Sequence, residues 1–325
     1  MKAIVTTTPF KQDREACKKL VNMCNVVFNE TGHKLGAYEL ELLIKKEQPN
    51  IIIAGTEKYN EKLLKLAPIK SICRVGIGLD SVPLDICQKL GIKVFYTPNA
   101  PTVAVAELTV CQILNMLRKV QNVSDDILIR DRWNRYIGRE LRNCTVGIIG
   151  FGRVGKKVFE MLSGFNIKVM MINDVNSETM NYDKNKFYHY PAMCCDASKR
   201  NILTECDIIT IHIPLSDGVH YNKDYITYED LNIMKKDVRL VNMSRGGIIN
   251  EDDLYKWLKE NKKACAAIDT FEDEAYHGKL RELGNAYLTP HLGSCTLRSR
   301  EDMEAGACYE AIKFIKHEKS INEVI

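Results

Sequence analysis

Short runs of β-branched and apolar residues, AIVTTT at 3–8, NIIIAG at 50–55, IKSICRV at 69–75 and IKVFY at 92–96, alternate with longer stretches of helical spacing. Such alternation predicts a parallel sheet covered by helices. Residues 107–120 predict a helix, because Leu108, Cys111, Leu114 and Leu117 fall on one face. After a polar stretch at 131–142 the alternation restarts, with strands expected at 144–149, 168–173, 207–213, 238–242 and 264–268. The expected class is therefore α/β, with two doubly wound parallel-sheet domains. The polar, poorly periodic segment 176–200 is expected on the surface.

Composition narrows the function classes. At 325 residues, 45% hydrophobic and 27% charged, the chain can bury a large core and favours two domains. A net charge of +4, with no block of five like charges, gives no footprint for nucleic acid or a membrane surface but leaves anionic small molecules open. The longest apolar runs, such as 146–151, are far too short to span a bilayer. Twelve cysteines, with no C-x-x-C spacing and no signal-peptide pattern at the N-terminus, are expected to be reduced thiols of a cytoplasmic protein. The adjacent Cys194 and Cys195 read as packed apolar side chains. No metal site is expected.

Residues 144–174 read as strand, glycine turn, helix and second strand: CTVGII, GFGRVG, KKVFEMLSGF, NIKVMMIND. In that context Gly150 permits the tight turn, Gly152 lets the backbone approach a pyrophosphate and Gly155 lets helix and strand pack closely. Phe151, Arg153 and Val154 complete the turn, and the helix start offers free N–H groups to an anion. Asp174, 19 residues after Gly155, can accept both adenosine ribose hydroxyls and repel a 2′-phosphate, which favours NAD over NADP.

Three later stretches place polar groups just past apolar strands: VNMSRGGIIN at 241–250, AAIDTFEDEA at 266–275 and LTPHLGSCT at 288–296. That is the edge of an open sheet where ligands bind. Taken singly, each has a bland reading that outweighs the functional one: Arg245 as a surface ion-pair partner, Glu274 as a loop carboxylate and His291 as a capped histidine. Together and in this order, with RVGIGLDSVPL at 74–84, YTPNAPTVAVAEL at 96–108 and HIPL at 212–215, they resemble the D-isomer-specific 2-hydroxyacid dehydrogenases, most closely the short phosphoglycerate dehydrogenase branch.

The resemblance implies a catalytic arginine at Arg245, a glutamate at Glu274 and an acid–base histidine at His291. The chemistry suits them: hydride addition to a 2-oxo carbon leaves an alkoxide that His291 can protonate. Glu274 can orient the imidazole, and Arg245 can hold a carboxylate in its planar fork. The resemblance further implies that backbone N–H groups around Val75, Gly76 and Ile77 receive the substrate carboxylate, with Gly76 and Gly78 permitting close approach. It also places Asp269 on the nicotinamide amide, and His212, Ile213, Pro214, Met243, Ser244 and Gly293 beside the cofactor, a structural role for His212 being equally open. Ala275 stands where the family often has proline.

Arg74, just before the carboxylate loop, suits a second anionic group, so the substrate implied is 3-phosphoglycerate or 3-phosphohydroxypyruvate, in serine biosynthesis. Arg132 and Arg135 could also reach a phosphate, or simply form a solvated basic surface. Hydroxypyruvate, glyoxylate, phosphonopyruvate or a larger 2-oxo acid are the alternatives. An NADH-sensing corepressor is the alternative of another class, disfavoured because Leu292, Gly293 and Ser294 stand where that group has a tryptophan. With the chain ending at Ile325, no feedback inhibition by serine is expected. The architecture implied is a flavodoxin-like substrate domain of residues 1–102 and 293–325, a Rossmann NAD-binding domain of 103–292, and a cleft between them with hinges at the two crossings. The helix at 107–120 and the stretch after it correspond to a dimer arm, implying a homodimer or higher homo-oligomer.

Overall fold

A computed structural model describes residues 1–176, 193–216 and 220–325. The surface reading of 176–200 falls mostly outside these residues, and the side chains of Cys194 and Cys195 lie outside them too. The chain divides into two compact units, Met1–Pro101 with Thr296–Ile325, and Thr102–Cys295.

The first unit holds β1 (Lys2–Val5), β2 (Asn25–Phe28), β3 (Ile51–Ala54), β4 (Ser71–Arg74) and β5 (Lys93–Phe95). All pair in parallel, in the order β2-β1-β3-β4-β5. This is the flavodoxin-like order, in which the winding reverses between β1 and β3. The central strand reads IIIA and is buried throughout, as expected where helices cover both faces of a parallel sheet. On one face the helices Glu15–Val21 and Leu297–Ile315 pack Cys17, Leu20, Cys308 and Ala311 onto Ile51 and Ile53. On the other, Leu40, Ile44, Leu63 and Cys87 cover Ile4, Ile52 and Ile72. Each such fully buried aliphatic side chain contributes about 1.5–3 kcal/mol.

Among the described residues the second unit holds seven parallel strands: β6 (Thr145–Ile149), β7 (Val169–Asn173), β8 (Met193–Asp196), β9 (Ile208–Ile211), β10 (Arg239–Asn242), β11 (Cys265–Ile268) and β12 (Ala286–Leu288). Their order, β12-β11-β10-β9-β6-β7-β8, is that of a Rossmann sheet with its reversal between β6 and β9. The helix Thr102–Arg118 starts and stops earlier than its spacing predicts, and buries Ile113, Met116 and Leu117 against Val158, Phe159 and Val241. A further helix, Val120–Leu128, which the pattern does not predict, buries no residue. The described cysteines are free thiols, most of them buried.

Candidate active site

At the end of β6 the chain turns through Gly150 with φ of +91°, a region that glycine alone enters freely. A Cβ there would lie 2.7 Å from the backbone C and O of His212, at the end of β9, so the turn sits in the fork where the strand order reverses. A Cβ on Gly155 would lie 2.1 Å from the Gly150 carbonyl oxygen, whereas one on Gly152 would meet nothing within 4 Å. Gly150 and Gly155 are thus demanded by the protein's own backbone, and Gly152 leaves open space in front of the helix Arg153–Ser163. That helix has no side-chain cap, so its first N–H groups are available to an anion. Asp174 accepts the Phe151 N–H at 2.5 Å through one oxygen and the Asn176 N–H at 2.8 Å through the other. The carboxylate is therefore fixed beside the glycine turn. The His212 ring is set into the protein: its Nε2 lies 2.8 Å from Thr210 Oγ1, and its Nδ1, shielded from solvent, has no partner among the described residues. Burial pushes its pKa down to about 3, so the ring stays neutral. Turn, uncapped helix, placed carboxylate and orphaned ring nitrogen together fit a dinucleotide.

The Arg245 loop is shaped by Asn242, a residue that the sequence motif contains but to which sequence reasoning assigned no role. Its Oδ1 accepts the Ser244 N–H at 3.1 Å and hydroxyl at 2.6 Å, and its amide donates to the Arg245 carbonyl at 2.9 Å. Arg245 is half-buried and donates to the Ser244 carbonyl at 2.7 Å. A Cβ on Gly246 would lie 2.0 Å from the Phe271 backbone carbon. The glycine after the arginine is what lets this loop lie flush on the loop that carries Glu274. The latter is braced at its ends by Phe271 and Tyr276, whose rings stack with centroids 4.1 Å apart.

Glu274 and His291 are 17 residues apart in sequence, and the fold joins them: Glu274 Oε1 lies 2.6 Å from His291 Nδ1. His291 follows Pro290 with φ of +54°, a conformation sparsely used by non-glycine residues and characteristic of functional sites. Asp269 holds it there. The Asp269 carbonyl accepts the His291 N–H at 2.9 Å, and its fully buried carboxylate accepts Leu292 N–H at 2.7 Å, Gly293 N–H at 2.8 Å and the Thr289 hydroxyl at 2.6 Å. Asp269, expected on the nicotinamide amide, has these internal partners around the histidine.

In the first unit, Arg74 ends β4, is only 8% exposed, and donates through Nη1 to the Val75 carbonyl. Gly76 has φ of +137°, and a Cβ there would lie 2.9 Å from Arg74 Nη1. The Val75 N–H continues the sheet to Ala54 O at 2.9 Å, and the Gly76 N–H donates to Thr97 Oγ1 at 2.8 Å. Of the three N–H groups expected to receive a carboxylate, those of Val75 and Gly76 therefore have internal acceptors. Those of Ile77 and Gly78 have none among the described residues. No group of three metal-ligating side chains occurs among the described residues, and no helix there is long and apolar enough to cross a membrane.

Two doubly wound units, one with a dinucleotide turn and a carboxylate–imidazole pair at its sheet edge, define a nicotinamide-dependent oxidoreductase class. Comparison with known proteins narrows it. The family model for D-isomer specific 2-hydroxyacid dehydrogenase, NAD binding domain, matches residues 110–293. The glyoxylate reductase of Thermofilum pendens is 31% identical over 312 residues, 92% of this chain and 88% of that protein. The D-3-phosphoglycerate dehydrogenase of Bacillus subtilis is 30% identical over 82% of this chain, which spans only 49% of that protein. Among solved structures, the TT0316 protein of Thermus thermophilus superposes over all of this chain and all of its own with a TM-score of 0.84 at 24% identity, a likeness of fold. The chain belongs to the D-isomer specific 2-hydroxyacid dehydrogenases, and NAD is the nucleotide its second unit binds.

Proposed function

We propose that this protein transfers a hydride between NAD(H) and C2 of a short 2-oxo acid, giving the D-2-hydroxy acid, with His291 as acid–base group. The observation that carries this reading is the 2.6 Å contact of Glu274 with His291 Nδ1. With Nδ1 committed to a carboxylate, Nε2 is the ring nitrogen left to exchange a proton with the substrate oxygen. NADH supplies the hydride to C2; the oxygen at C2 takes its proton from His291, which solvent then reprotonates. Arg245 holds the substrate carboxylate and polarises the adjacent carbonyl. In the first unit, the N–H groups of Ile77 and Gly78, which have no acceptor among the described residues, are the donors available to an anion. The first unit thus serves as the substrate domain and the second as the cofactor domain.

For the rest of the substrate, the inward course of Arg74 supports an unphosphorylated acid such as glyoxylate or hydroxypyruvate. An arginine 8% exposed and bonded to a backbone carbonyl offers little to a phosphate. Glyoxylate reductases of similar length among the relatives agree. A second reading, 3-phosphohydroxypyruvate, is supported by the presence of an arginine at this loop and by the phosphoglycerate dehydrogenase relatives. Following NADH oxidation against glyoxylate, hydroxypyruvate and 3-phosphohydroxypyruvate, for the wild type and Arg74→Ala, separates them. Preference for the unphosphorylated acids supports the first reading; preference for the phosphorylated acid, lost in the variant, replaces it with the second. Failure to turn over any 2-oxo acid sinks both. We also assign a homodimer formed through the arm that follows the helix Thr102–Arg118, and a cytoplasmic setting.

A further inference from the structure

The loop that carries Glu274 is exposed at Glu272, Asp273 and Glu274, yet it holds a carboxylate 2.6 Å from His291 Nδ1. From Thr270 to Asp273 the backbone forms one hydrogen bond with the described residues: the Glu272 N–H donates to Glu251 Oε1 at 2.8 Å. Glu251 opens the helix Glu251–Glu260, behind an N-cap, Asn250, whose side chain accepts the Asp253 N–H at 3.0 Å. With the helix capped by Asn250, Glu251 Oε1 serves the neighbouring loop instead. The carboxylate is half-buried, so the bond is charge-assisted and partly sheltered from water. Burial raises its pKa, and the Glu272 N–H works against the rise.

Packing alone does not fix this loop. A small cavity is bordered by Asn242, Gly247, Glu251 and Thr270, and the Thr270 hydroxyl, 3% exposed, has no partner among the described residues. Groups that border a void lose the contacts that would hold them, so the bond to Glu251 carries more of the constraint. Glu272 has a second tie, an ion pair with Lys223 at 3.1 Å, but the two side chains are 40% and 42% exposed. Such surface pairs contribute little.

We propose that Glu251 is a positioning residue for the reaction: by accepting the Glu272 N–H it sets the loop so that Glu274 meets His291 Nδ1. Glu251 acts through Glu274 and needs no contact of its own with substrate or cofactor. Without the bond the loop is free to shift, and a displacement of about 1 Å caused from outside the chemistry can cost about 10² in rate. This proposal rests on the reading of His291 as the acid–base group of a 2-oxo acid reductase.

Glu251→Met keeps the length of the side chain and removes the acceptor. Glu251→Gln keeps an acceptor oxygen and removes only the charge. Both lose the same favourable charge from the first turn of the helix, so their difference isolates the hydrogen bond. In Glu251→Met, kcat for the best of glyoxylate, hydroxypyruvate and 3-phosphohydroxypyruvate is expected to fall about 10- to 100-fold. KM and NADH affinity should stay within about twofold, and Glu251→Gln should recover most of the lost kcat. In a Glu274→Ala background, Glu251→Met should change kcat by less than about twofold, because the two residues act in one chain. Glu251→Asp, which keeps the charge and draws the acceptor back by one methylene, is the milder second variant and should lower kcat by a smaller factor. Wild-type kcat in the folded Met and Asp variants, equal losses in Met and Gln, or a loss that persists in Glu274→Ala overturns the proposal. The ring 15N shifts of His291, assigned by comparison with His291→Asn, read the Nδ1 contact without turnover. They should move in Glu251→Met and hold in Glu251→Gln, and shifts unmoved in both also overturn it. If the wild type reduces no 2-oxo acid but the shifts move as expected, the functional reading fails and the positioning role of Glu251 stands.

Discussion

The carboxylate of Glu274 costs His291 one ring nitrogen and thereby defines what the other can do. His291→Ala is expected to lower kcat for 2-oxo acid reduction by about 10²–10⁴-fold, the usual contribution of a positioned acid–base group, while fluorescence titration with NADH returns near-wild-type affinity. A loss confined to NADH affinity would assign the histidine to cofactor binding instead. His212 behaves differently, because burial holds its pKa at about 3 against ~6.5 in an unfolded chain. Between those values the unfolded chain binds the extra proton and the native protein does not, so stability rises with pH and is lost as pH falls through 6.5. Going from pH 7 to pH 5 should remove about 2 kcal/mol by this route. Urea unfolding at the two pH values, compared with His212→Gln, measures it; equal losses in both proteins would show that His212 is accessible to protons in the native state. Of these two histidines, sequence reasoning identified His291 and its partner through ordered motifs. It left His212 open between cofactor and structure, since burial of a ring is not written in its neighbours.

At the scale of elements, the period of the apolar runs located nine strands to within a few residues, because parallel strands covered on both faces must be apolar along their length. It gave no range for β2, an edge strand reading NVVF that begins exposed and is only partly buried, for β8 or for the other edge strand, β12. It also missed the helix Val120–Leu128, which has no buried face to impose a period. The glycine turns were legible for a physical reason that the structure makes quantitative. Gly155→Ala sets a Cβ 2.1 Å from a backbone oxygen and Gly246→Ala sets one 2.0 Å from a backbone carbon; neither neighbour can rotate away. Each substitution should cost about 3 kcal/mol, the upper end for overpacking, read as a lowered urea midpoint. Gly155→Ala should also weaken NADH binding, whereas Gly152→Ala, with nothing within 4 Å, should retain stability and weaken NADH alone. Wild-type NADH affinity in Gly152→Ala would remove the pyrophosphate from that position.

The whole molecule presents an apolar surface on the arm beyond the helix Thr102–Arg118: Leu128, Trp133 and Ile137 are 78%, 84% and 93% exposed. The homodimer proposed above would cover them, so light scattering is expected to give twice the 37.1 kDa of the chain, and Trp133→Arg with Ile137→Asp the monomer. A wild-type monomer at all concentrations tested would refute the dimer. The sequence by itself determined the two α/β repeats, the nucleotide turn and the family, because these rest on local periodicity and on motifs contiguous in the chain. The tertiary structure alone decided which groups remain available at the site. It committed the N–H of Gly76 to Thr97, turned Arg74 inward and set Glu57 against Thr6, 51 residues away. Hydrogen-bond donors and charges are consumed by whatever lies nearest in space, and spacing along a chain does not record that distance.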